Sequence, residues 1–205
     1  MTRSAQESPP RPRLAAAERR QAVLDTACDV FARSSYRGAT TAEIARAAEI
    51  TEPILYRHFG SKRDLYLACL EQAWQQFRAV GEEAMEKNPE GCLGAIADAY
   101  MKPGAKARIR LVDLWIQALT EAAGDETIAA ALRTQIREVH DFFAALIRTA
   151  QHEGYVHSDR DAEAEAWLFI AGGLLATIDH RLGGLLGDDL LKVRAARREW
   201  MAPSS

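Results

Sequence analysis

The chain has 205 residues, 48% hydrophobic and 27% charged, with a formal net charge of −3. That balance excludes a generally basic nucleic-acid binder, and the length suits one small domain beside a larger one with its own core. The longest apolar run, Ala166 to Ile178, lies between Glu165 and Asp179 and is too short to span a bilayer, and the N-terminus has no apolar signal region.

The average charge hides an asymmetry. Residues 1–63 hold eleven Lys/Arg against seven Asp/Glu, whereas residues 64–205 hold fifteen against twenty-two. The basic excess therefore sits at the N-terminal end. Residues 1–15 read as a flexible Arg/Pro-rich tail, with Arg3, Arg11 and Arg13 in it and Arg19 and Arg20 close behind. This stretch either tracks phosphates or a minor groove, or is a solvated tail.

Val23, Leu24, Ala27, Val30 and Phe31 recur at helical spacing and predict a helix from about Ala16 to Ser34. Then Thr40 to Lys62 reads TTAEIARAAEITEPILYRHFGSK, two short helix patterns joined by a tight connection. Ile44, Ala45 and Ala48 face inward on the first, and Leu55 and Phe59 on the second, which starts at a capping Thr51. Three helices thus close a small core in a helix-turn-helix layout, whose dominant use is to present the start of its second helix to the DNA major groove. Glu52, Pro53, Tyr56 and Arg57 stay outward on an arc of roughly 140° at 100° per residue. Arg57 suits guanine or a phosphate. Glu52 either accepts from cytosine N4 or only favours the positive end of its helix.

Ser61 caps the next helix, with Asp64 three residues on. Helices are predicted near 61–86, 90–101, 105–122, 126–153, 161–182 and 188–200, nine in all, with no strand pattern and no internal repeat. The fold class is all-α, divided into a tail at 1–15, a helix-turn-helix domain at 16–60 and a larger helical domain at 61–205. The helix from Asp161 to Leu182 carries the strongest stripe: Ala164, Trp167, Leu168, Ala171, Leu174, Leu175, Ile178 and Leu182. Gly172 and Gly173 inside it are poor helix residues unless close packing uses them, so this face reads as a helix–helix interface.

Enzyme readings fail on spacing. His152 and His157 are separated by one residue too many for a shared helix face, with Gly154 between them, and His157-Ser158-Asp159 is contiguous in a connector, where a nucleophile and its base are not brought together. No metal site and no cofactor are expected. Cys28, Cys69 and Cys92 are odd in number and widely spaced, as small hydrophobes of a cytoplasmic protein would be. The alternative role for one of them is redox sensing.

R-x-x-VL-x-TA-x-x-VFA from Arg20 to Ala32, then Tyr36, Thr40, Thr41, Ile44, Ala45 and LYRHFGSK from Leu55 to Lys62, resemble the N-terminal domain of TetR-type transcriptional regulators over about 50 residues. The resemblance implies DNA phosphate contacts from Thr40, Thr41, Tyr56, His58 and Lys62, and base contacts from Glu52, Pro53 and Arg57. It also implies a homodimer in which the last two helices of each copy form a four-helix bundle. Trp167, Ala171, Leu174, Leu175, Ile178 and Leu182 would supply that interface. A cavity near Phe77, Tyr100, Trp115, His140, Phe143 and Trp167 would take an unidentified small-molecule effector, although aromatics at helical spacing are also ordinary core. Two positions depart from the family pattern, since Ser35 and Glu49 stand where glycine is usual; should Glu49 adopt the left-handed conformation that glycine permits there, the strain would be on the order of 1 kcal/mol. The expected function is a dimeric repressor on a palindromic operator. The alternatives are an activator of the same architecture, or a helical ligand-binding dimer without specific DNA binding.

Overall fold

The computed structural model describes residues 16–101 and 111–203, with side chains described except at 97–101. The N-terminal tail at 1–15, the first part of the helix expected from residue 105, and the side chain of Tyr100 lie outside the described residues. Nine helices and no strand are present among the described residues: α1 (Ala16–Arg33), α2 (Thr41–Ala47), α3 (Glu52–His58), α4 (Lys62–Lys87), α5 (Cys92–Met101), α6 (Leu111–Ala122), α7 (Glu126–His152), α8 (Ala162–Arg181) and α9 (Asp189–Met201).

The N-terminal core forms because each helix is apolar on one side only. Val23, Leu24, Ala27, Val30 and Phe31 of α1 meet Ile44 and Ala45 of α2, Leu55 of α3 and Phe59 just after it, and all are buried. Leu65, Tyr66 and Cys69 of α4 complete this core, with the Phe31 and Tyr66 rings edge-on at 4.9 Å. Because α4 continues for 26 residues, it carries the core of the head into the body of the molecule. The Cys28 and Cys69 thiols face one another's helices, each donating to a main-chain carbonyl at 3.9 Å. Burial pushes the Cys69 thiol up, which keeps it from being a good nucleophile.

In the body, α4, α6 and α7 pack around a buried polar relay. The Trp115 indole N–H donates to Gln135 Oε1 at 2.7 Å, and Gln135 Nε2 donates to the Leu70 carbonyl at 2.8 Å, so three helices share one satisfied network. Close approach explains Gly81 in the middle of α4: a Cβ built there would lie 2.6 Å from the Phe142 ring. α7 is capped by Asp125, whose carboxylate accepts from the main-chain N–H groups of Thr127 and Ile128. Asp161 caps α8 in the same way.

α8 has two faces. Ala162, Ala166, Ile170, Ala176 and Thr177 are buried within the chain. Trp167, Leu168, Ala171, Ile178 and Leu182 are exposed, and a Cβ at Gly172 would meet nothing within 4 Å. α9 is held to α8 largely through Glu165, a buried carboxylate that pairs with Arg197 and accepts from the Trp200 indole N–H at 3.0 Å.

Candidate nucleic-acid interface

The turn between α2 and α3 is built from the end of α2. The Glu49 N–H donates to the Arg46 carbonyl at 3.1 Å and the Ile50 N–H to the Ala45 carbonyl at 2.9 Å, the paired bonds of a Schellman motif. That motif needs a left-handed residue, and Glu49 supplies it with φ 55°, at the position where the family pattern has glycine. The cost is of order 1 kcal/mol, since the Cβ of an L-residue crowds the next carbonyl there. Ser35 needs no positive φ. Its hydroxyl accepts the Gly38 N–H at 2.9 Å and so closes the turn after α1 by a side-chain bond.

Thr40 caps α2, accepting the Glu43 N–H at 3.1 Å. Thr51 occupies the corresponding place before α3 but makes no side-chain cap bond, contrary to the expectation from sequence. α3 starts instead on its main-chain geometry, with Pro53 in the first turn, where a missing N–H costs nothing. Ser61 caps α4 by accepting the Asp64 N–H at 3.0 Å.

Three faces of α3 have separate duties. Leu55 is buried, and Phe59 directly after the helix joins it in the core. Pro53 and Arg57, four residues apart, are both exposed. Glu52 and Tyr56, likewise four apart, turn toward the start of α2: the Thr41 hydroxyl donates to Glu52 Oε1 at 2.6 Å, and the Tyr56 hydroxyl donates to Thr41 Oγ1 at 3.3 Å. His58 is half-buried beside the Phe59 ring.

Lys62, at the start of α4, places its ammonium 4.6 Å from the centre of the Tyr36 ring, and burial lowers its pKa. Arg20 stacks over Phe59 at 4.6 Å, so this member of the N-terminal basic group braces the motif. Nearby, Arg37 of the head pairs with Glu121 of α6 at 3.0 Å, and Arg63 in the first turn of α4, beneath the head, pairs with Asp125 at 3.2 Å. The Tyr66 hydroxyl adds a bond to the Leu114 carbonyl at 2.8 Å. Sequence spacing gives no sign of this seam, because the Arg37 pair spans 84 residues.

The residues expected around an effector fall into separate groups. Phe77 and Phe143 are buried with their rings 5.5 Å apart, within a cluster that includes Trp74, Phe142 and Phe169. Trp115 is committed to Gln135. His140 is buried, with Nδ1 2.9 Å from Asp141 Oδ1 and Nε2 3.1 Å from the Glu163 carbonyl, and its ring stacks on Trp167 at 4.3 Å. A groove of about 620 Å³ lies elsewhere, lined by His157, Arg160, Trp200 and the residues that follow α9.

Comparisons with known proteins agree with this architecture. Residues 23–69 match the family of bacterial regulatory proteins called tetR, and residues 89–178 match the C-terminal domain of BetI-type transcriptional repressors. The repressor BepR of Brucella suis is 29% identical over 187 residues, covering 86% of each chain. The activator FasR of Mycolicibacterium smegmatis is 45% identical over 60 residues, 29% of this chain and 27% of FasR, so the likeness spans about a quarter of that relative. A TetR-family regulator from Cytophaga hutchinsonii superposes with a TM-score of 0.78 over 94% of this chain and 100% of that one, at 15% identity, a likeness of fold. These relatives regulate transcription and are not enzymes. The chain belongs to the TetR family of bacterial transcriptional regulators.

Proposed function

We propose that the chain is a sequence-specific repressor that binds a palindromic operator as a homodimer and is released by a small-molecule effector. The observation that carries this reading is the division of α3, which buries Leu55 while Pro53 and Arg57 stay exposed on a polar surface. Pro53 and Arg57 address base edges, Arg57 through a bidentate contact to guanine. Thr40, Tyr56, His58 and Lys62 address phosphates and fix the register of the head on the duplex.

A reading head of this size covers one half-site, and a two-fold axis supplies the second about one helical turn away. The exposed apolar face of α8 supports such an axis. Trp167, Ala171, Leu174, Leu175, Ile178 and Leu182 form the proposed subunit contact, and the open space over Gly172 permits close approach of a partner helix. The effector site is proposed around the Phe77 and Phe143 rings, beside α5. An effector bound there shifts the equilibrium only through unequal affinity for two head positions, and the Arg37–Glu121 and Arg63–Asp125 pairs are the route by which α6 and α7 bias the head. The proposed role at DNA carries with it a cytoplasmic location; no helix among the described residues is long and apolar enough to cross a membrane.

An activator is the second reading, because FasR carries that name and is 45% identical over 60 residues. The test is a bacterial reporter gene placed behind a promoter that contains duplex sites selected by the protein. Co-expression of the chain lowers reporter output if it represses. Raised output would overturn repression in favour of activation.

A further inference from the structure

Glu52 is the first residue of α3 and Thr41 the first of α2, so a bond between them ties the starts of both motif helices. A threonine hydroxyl has a single proton. At 2.6 Å that proton belongs to the Glu52 carboxylate, in a charge-assisted bond roughly twice as strong as a neutral one. Thr41 Oγ1 is then left as an acceptor, and Tyr56 fills it at 3.3 Å, a long contact between neutral groups. The two links are unequal, and this decides what DNA can take. A phosphate offers only acceptors, so it competes for protons, and the proton held by the weaker link is that of Tyr56.

The carboxylate itself is poorly placed to read a base. Accepting from cytosine N4 would compete with its short bond to Thr41, and a bare carboxylate is repelled by a duplex that carries one phosphate charge per about 1.7 Å. Tyr56 is 46% exposed, so its hydroxyl reaches a partner by rotation of the side chain alone.

We propose that Glu52 is a positioning residue of the DNA-binding head: it holds Thr41, Thr41 presents Tyr56, and Tyr56 redirects its O–H hydrogen bond from Thr41 to a backbone phosphate when the duplex docks, while Glu52 reads no base. Thr41 then acts inside the motif and makes no phosphate contact through its hydroxyl. This rests on the DNA-binding reading above and revises the roles that spacing alone gave to Glu52 and Thr41.

The test is a set of binding measurements on the full chain with wild type, E52Q, E52A, T41V and the doubles T41V/E52Q and T41V/E52A. The probes are the selected operator and its single base-pair variants, with melting curves to confirm the fold. Both Glu52 variants remove the charge, but only E52Q keeps an acceptor for Thr41, so the ratio between them isolates the hydrogen bond from electrostatic relief. E52A should bind about five-fold more weakly than E52Q on every duplex, the value of one ordinary hydrogen bond. In the T41V background that ratio should fall to within about two-fold, and the ranking of base-pair variants should stay as in wild type throughout. A change of preference at one base pair in E52Q or E52A would overturn the proposal by making Glu52 a reader. Equal binding of E52A and E52Q with Thr41 present would overturn it as well. Should wild type prefer no sequence, the sequence-specific reading fails separately, and the same ratio on an arbitrary duplex at low salt still decides the role of Glu52.

Discussion

The two ends of the chain dispose of their apolar side chains in opposite ways. In the head, α1 to α3 bury Val23, Leu24, Phe31, Ile44, Leu55 and neighbours among themselves and α4, and Tyr56 is the large apolar side chain left exposed. From Trp167 onward the pattern reverses: Trp167, Leu168, Ile178, Leu182, Leu185, Leu191, Val193 and Trp200 are all exposed, Leu182 and Leu185 at 63%. A surface finished in polar groups suits a polar partner, and one finished in leucine suits an apolar partner. One chain thus carries two surfaces of different chemistry, which is what the proposed symmetric DNA-binding dimer needs.

The largest effect should come from the apolar end. Ile178→Glu with Leu182→Glu changes side chains that are 43% and 63% exposed, so the fold of a single chain should persist. Each charge trapped in a subunit contact costs about 3–5 kcal/mol, so the double variant should sediment as a monomer where wild type sediments as a dimer. A wild-type monomer would erase the contrast between the two ends. Arg57→Ala comes next, with an expected loss of about 1–3 kcal/mol that relaxes preference at one base pair, read by competition among operator variants. Lys62→Ala should instead weaken all duplexes alike and lower the slope of log affinity against log salt by about one. If Arg57→Ala and Lys62→Ala behave identically, Arg57 touches only phosphate. The smallest effect belongs to the turn. Glu49→Gly relieves a left-handed residue and should raise the melting temperature by about 2–4 °C at most, for roughly 1 kcal/mol in a chain of this size. A clear fall in melting temperature would show that the Glu49 side chain supports the turn.

Legibility in the sequence followed the range of the interaction. Helix starts at Thr41, Lys62 and Ala162 were readable because capping and periodicity are local, whereas the left-handed Glu49 was signalled by the family pattern, which has glycine at that position. The stripe on α8 was readable too, and the residues it named are largely those the single chain leaves uncovered. Spacing placed Glu52 on the outward arc but could not show that its carboxylate meets Thr41, since that depends on how two helices cross. The seam from Arg37 to Glu121 and the grip of Glu165 on Arg197 and Trp200 were equally silent, because each joins distant segments through charges that look solvated in the sequence. Aromatics in the body were the least legible: Phe77, Trp115, His140 and Phe143 share helical periodicity but divide into separate packing groups.

Selection of bound fragments from random duplex DNA at near-physiological salt, followed by sequencing, decides whether the chain reads a site. An enriched palindrome with half-sites about one helical turn apart is expected, one for each reading head of the proposed dimer. Weak, salt-sensitive binding with no enriched sequence would contradict this expectation and would favour a helical ligand-binding dimer whose head reads no site.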